Sequence, residues 1–147
     1  MAQADVDDQT LLREFESRSL PFKQWTHRAH VRVAYLYLRQ YSFDEALKRI
    51  GEGIKAYNAA NNVPEGPTSG YNQTTTHAFT HLIAAVMQTY SKSHPVKDSQ
   101  GFCDAHPQLM SQHVLRLFYS PERRMHPLAK TQFIEPDLAP LPRLDDI

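Results

Sequence analysis

The sequence predicts an all-α fold: a compact bundle of five or six helices with an extended, proline-rich C-terminal tail packed on it. Three observations carry this. Long segments repeat their apolar residues at intervals of three and four, the spacing that lays side chains along one face of a helix. The starts of these segments hold residues that cap helices. Strand signals are sparse, because no β-branched alternation of apolar and polar residues runs beyond a few positions.

Taken in order, residues 1–9 read as a flexible, acidic and polar lead-in. A first short helix runs from Thr10 to Ser17 and is closed by Ser19, Leu20 and Pro21. Thr26 is placed to N-cap a second helix reaching about Gln40. Ser42, Phe43, Asp44 and Glu45 form a capping box that opens a third helix, with Phe43, Leu47, Ile50, Ile54 and Tyr57 on one face. Gly51 and Gly53 weaken that helix or let a neighbour approach closely. Residues 61–70, with Pro64, Gly66 and Pro67, are a loop. A fourth helix starts near Thr74 and continues to about Ser91, turning Phe79, Leu82, Ile83, Val86 and Tyr90 toward the core. Ser99 to Ala105 and Pro107 to Tyr119 read as two further helices, the second carrying Leu109, Val114, Leu117 and Phe118. From Ser120 the tail (120–147) holds five prolines and is extended after about Gln132, while Phe133, Ile134, Leu138 and Leu141 direct it onto the bundle. Residues 1–147 thus read as a single helical domain.

A chain of 147 residues can bury a core without staples. Sixteen basic and sixteen acidic residues cancel, and no Lys/Arg stripe is present, which argues against a nucleic-acid partner. The single cysteine, Cys103, leaves no internal disulfide and fits a reducing compartment. Without a long apolar run or a signal-like start, the reading is a cytoplasmic protein with no membrane partner.

Chemistry is concentrated in Trp25-Thr26-His27-Arg28-Ala29-His30, at the start of a helix that is otherwise almost wholly apolar. His27 falls in the middle of the stripe of Val31, Ala34 and Leu38, and His30 toward its edge. An imidazole buried there without a partner costs roughly 1–3 kcal/mol, so a ligand, a metal or a polar neighbour is implied. Up-down-up packing would bring the starts of the second and fourth helices to one end of the bundle. Tyr71, Asn72, Gln73 and Thr76 occupy the second of these starts. The partial positive charge of helix N-termini favours anions and keeps a nearby imidazole neutral, as a general base or a metal ligand. His77 and His81 have the spacing of paired metal ligands but fall opposite the apolar stripe, on what reads as a solvated face. His113 reads as a core residue beside Leu117; His94, His106 and His126, each before a proline, read as structural or incidental. Cys103 reads as a buried small hydrophobe.

The segments WTHRAHVRVAYLYL, IKAYN, GYNQTTTHAF and the tail YSPER…FIEPDLAPLP together resemble a family of small, largely uncharacterised all-helical proteins. Its members carry an Asn/Thr-His-x-x-His opening and a Tyr-His-Glu-Thr-x-Thr segment, and the similarity spans Leu20 to Pro142. The family's histidines and carboxylate imply metal-ligand material. His27 and His30 match the first pair, and Tyr71, Thr74 and Thr76 the frame of the second segment. Asn72 and Gln73 stand where the pattern has His and Glu, keeping hydrogen bonding but giving up strong ligation.

The leading functional reading is therefore a metal-independent, cofactor-free enzyme acting on a small organic substrate, of cyclase, isomerase or lyase type, in specialised metabolism. Its acid–base centre is His27 and His30, with Trp25, Tyr71, Asn72, Gln73 and Thr76 binding substrate. One alternative is a transition-metal enzyme using His27 and His30 with a third ligand such as His113 or His126. The other is a non-catalytic helical module that binds a small ligand.

Overall fold

The structure, a computed structural model, describes residues 6–144, and these form an all-α fold with no β-strand among them. Helix α1 spans Asp8–Glu16, α2 His27–Gln40, α3 Phe43–Ala60, α4 Gln73–Tyr90 and α5 Ser99–Ala105. Two short helices, α6 (Pro121–Arg124) and α7 (Pro127–Thr131), precede an extended stretch. Each of the four longest helices begins on a side-chain cap: Asp7, Thr26, Ser42 and Asn72 accept from the backbone N–H three residues on.

Helix α2 is the axis of the molecule. It packs against α1, α3, α4 and α5, and every residue from Val31 to Leu36 and on to Tyr37 is buried. The apolar character of this segment thus reflects burial on all sides rather than on a single stripe. The exception in composition is Arg32, 3 % exposed, whose guanidinium donates to Ser99 Oγ (2.7 Å), the Val6 carbonyl (2.7 Å) and Asp8 Oδ1 (3.2 Å). Asp8 also accepts from the N–H and hydroxyl of Ser99. The Asp8 carboxyl, raised by burial, is held below its ordinary value by the stronger effect of these Ser99 bonds and of Arg32.

That network corrects two expectations. Residues 6–9, expected to be flexible, are tied to α2 and α5, and α1 starts at Asp8 rather than Thr10. Residues 1–5 and 145–147 lie outside the described residues.

Both glycines of α3 mark close approaches. A Cβ on Gly51 would stand 2.8 Å from the Tyr71 hydroxyl, and one on Gly53 would stand 2.6 Å from the Phe15 ring. Residues 107–119 are not the α-helix that was expected. They form two 3₁₀ segments, Pro107–Leu109 and Gln112–Leu117, joined by Met110 and Ser111. The run Leu109, Gln112, Leu115, Phe118 repeats every third residue, the period of a 3₁₀ turn. This geometry leaves His113 exposed and Leu117 67 % exposed, so neither lines the core.

The tail becomes extended after Thr131, as its prolines require, and its apolar residues divide. Phe133 and Leu141 pack against the core, whereas Leu138 is exposed. The tail lies across the outer face of α4. The Thr74 hydroxyl donates to the Gln132 carbonyl (2.9 Å) and accepts from Ile134 N–H (3.2 Å). His77 stacks on Phe133 at 3.8 Å, and His81 Nε2 donates to the Pro142 carbonyl. Neither histidine is a solvated surface residue; the face opposite the apolar stripe of α4 is where the tail docks.

Candidate functional site

A cavity of about 470 Å³ opens between the starts of α2 and α4 and the body of α3. Trp25, His27, His30, Tyr71, Asn72 and Thr76 all line it, which brings together six of the seven residues singled out in the sequence. Gln73 is not in the lining. It stands behind the wall, where its Oε1 accepts from the Tyr71 hydroxyl at 2.8 Å and so fixes that ring. Most of the remaining wall is apolar: Phe22, Val31, Val33, Ala34, Ile50, Ile54, Val63, Phe79 and Ile83.

The two imidazoles have opposite tautomers, and the backbone decides both. His30 Nδ1 lies 2.8 Å from the Thr26 carbonyl. A carbonyl only accepts, so Nδ1 carries the proton and Nε2 of the neutral ring holds a lone pair. No described side chain or backbone group hydrogen-bonds to that Nε2. His27 Nε2 lies 2.8 Å from the Leu109 carbonyl, so there Nε2 is protonated and Nδ1 bears the lone pair. His30 is stacked on Trp25 (3.8 Å), which is itself stacked on Phe15 (4.8 Å), and the His27 ring meets Phe79 edge-on (4.8 Å). Burial pushes His30 down to about 4, with a further push from His27 and only partial relief from the Thr26 carbonyl. The ring is therefore neutral at physiological pH.

Asn72 serves two purposes. Its Oδ1 caps α4 by accepting from Thr75 N–H (2.9 Å), which leaves the amide NH₂ as the donor of a residue that lines the cavity. The Tyr71 phenol is raised by burial and stays protonated. The loop before it is clamped from outside: Lys130 donates to the carbonyls of Ser69 (2.8 Å) and Tyr71 (2.7 Å), while Glu65 accepts from Tyr71 N–H (3.0 Å).

Sequence reasoning missed Asn58, Thr75, Thr80 and Gln112, which also line the cavity. Asn58 carried a signal, since it continues the Ile50, Ile54 row of α3 at the next fourth position. Gln112 carried none, because its segment read as an α-helix. Cys103 is buried as expected, and burial raises its thiol to about 11, away from nucleophilic use. For a metal site, no group of three His, Cys, Asp or Glu side chains stands together among the described residues. His113 and His126, the suggested third ligands, are both exposed, and His126 Nδ1 is occupied by Leu128 N–H (3.1 Å). Nor is any described helix long and apolar enough to cross a membrane. Comparison with family models, curated proteins and solved structures found no match.

Proposed function

We propose that this protein is a small-molecule enzyme that works by proton transfer, of the cyclase, isomerase or lyase kind, with His30 as its acid–base group. The observation that carries the reading is the His30 imidazole. Its Nδ1–H is fixed on the Thr26 carbonyl, and its Nε2 lone pair is left open beside a largely apolar cavity. A positioned base needs this arrangement: an orienting acceptor on one nitrogen and a free lone pair on the other.

His30 resists protonation because burial and the neighbouring His27 disfavour its charged form. A substrate that gains negative charge as it loses a proton would place an oxyanion beside the new imidazolium and compensate it. The Tyr71 hydroxyl, the Asn72 amide and the Thr76 hydroxyl are the polar groups positioned to orient that substrate. His27, fixed on Leu109 and packed on Phe79, presents a second lone pair.

The test is to incubate the purified protein with the small-molecule fraction of a cell extract in D₂O and follow all masses. The wild type should consume at least one compound and yield an isomer or cleavage products carrying solvent deuterium. His30→Gln should slow that conversion by roughly 10²–10⁴-fold, the usual contribution of a positioned acid–base group. Equal conversion by variant and wild type would remove His30 from the chemistry.

A further inference from the structure

We infer that the cavity takes an uncharged, largely apolar molecule bearing a hydroxyl group, an alcohol, phenol or enol, whose O–H donates to His30 Nε2. This rests on the reading of the cavity as a small-molecule site.

Charge is the first argument. Among the described residues, no Lys, Arg, Asp or Glu lines the cavity. Trp25, Ile50, Ile54 and Phe79 supply walls that would strip water from a ligand without returning a counter-charge. Burying a carboxylate or an ammonium under those conditions costs several kcal/mol. The two helix starts would ordinarily favour an anion. Here, however, Thr26 Oγ1 already accepts from Ala29 N–H (3.2 Å) and Asn72 Oδ1 from Thr75 N–H (2.9 Å). Each start thus spends one of its free N–H groups on its own cap.

The second argument is polarity of the opposite kind. Both imidazoles spend their N–H on backbone carbonyls, so what they leave over is lone pairs. At His30 Nε2 a ketone, ether or carboxylate oxygen would set lone pair against lone pair, and its only partners would be the amides and hydroxyls elsewhere in the lining. A hydroxyl turns the same contact into a hydrogen bond. Apolar walls with a few convergent polar groups, in a volume of about 470 Å³, match what small-molecule sites provide.

Trp25 makes the test direct, because it is the chain's single tryptophan and its indole is stacked on His30. Decahydro-2-naphthol, its methyl ether, decahydro-2-naphthoate and decahydro-2-naphthylammonium share one apolar body and are transparent to tryptophan fluorescence. The alcohol should shift Trp25 emission with a Kd at least tenfold below those of the other three. His30→Phe, which keeps an aromatic ring against Trp25, should erase the difference between alcohol and ether. The wild-type series decides by itself if that variant fails to fold. Equal affinity for the ether, the carboxylate or the ammonium would overturn the inference and leave the cavity a small-molecule site. No response of Trp25 to any of the four would overturn both.

Discussion

Protonating His30 in place means charging an imidazole pressed against Trp25 and largely out of water, next to a second imidazole. The unfolded chain takes up that proton near 6.5 and the folded chain only near about 4. Between these values the unfolded state binds more protons, so stability rises with pH across the window and is lost as pH falls through it. The slope from this one group approaches about 1.4 kcal/mol per pH unit. His77 and His106, also lowered first by burial, act in the same direction. The part owed to His30 is therefore read by difference. Chemical denaturation of wild type and His30→Gln at pH 7 and pH 5 should show a smaller pH dependence in the variant, and equal dependence would mean that His30 titrates normally. His81 is a residue whose role depends on the tail. As a solvated histidine its loss would be silent, but it holds the Pro142 carbonyl. His77→Ala together with His81→Ala should expose residues 133–142 to proteolysis while the far-ultraviolet circular dichroism stays helical.

Among the elements, α3 makes the most discriminating prediction, because two opposing effects meet at its glycines. Replacing a helical glycine by alanine normally stabilises by about 1 kcal/mol. At Gly53 the new methyl would meet the Phe15 ring, itself 1 % exposed, and forcing extra volume into a packed core costs about 1–3 kcal/mol. Overpacking should win, so Gly53→Ala lowers the melting temperature and leaves ligand affinity alone. Gly51→Ala instead displaces the Tyr71 hydroxyl and should weaken ligand binding more than it weakens the fold, as titration and thermal denaturation on the same sample would show. Elements of this kind were legible to different depths. The starts of α2 and α3 could be read from Thr26 and Ser42, since capping is local chemistry. The residues of α2 and before α4 that line the cavity could be singled out because polar side chains at the margin of apolar runs are conspicuous. The 3₁₀ segments at 107–117 could not, because a spacing of three serves both kinds of helix over so short a run. Neither could the cover on His77 and His81, because a helical wheel says which side faces away from one neighbour but not whether another segment arrives there.

At the scale of the whole molecule, Asp8, Arg32 and Ser99 join three helices through one ion pair, its guanidinium buried and its carboxylate partly exposed. Removing one partner leaves the other charge uncompensated, so Asp8→Ala should cost about 3 kcal/mol or more in denaturant unfolding. A loss below about 0.5 kcal/mol would show the network to be dispensable. Because the Asp8 carboxyl is lowered, its contribution is complete above the ordinary carboxylate range and disappears as pH falls below it. The strap across α4 closes at comparable range: Thr74 meets Gln132 58 residues later, and Lys130 reaches Ser69 across 61. A chain made from its N-terminus at about 5–20 residues per second therefore finishes α4 and its preceding loop several seconds before the residues that hold them exist. Through that interval the nascent protein carries a formed helical centre, an uncovered outer face on α4 and an unclamped cavity mouth. The segment translated after α4 is the one that clamps the loop beside the cavity, and ribosomes stalled before Lys130 should display helices whose 69–71 loop is still open to proteolysis.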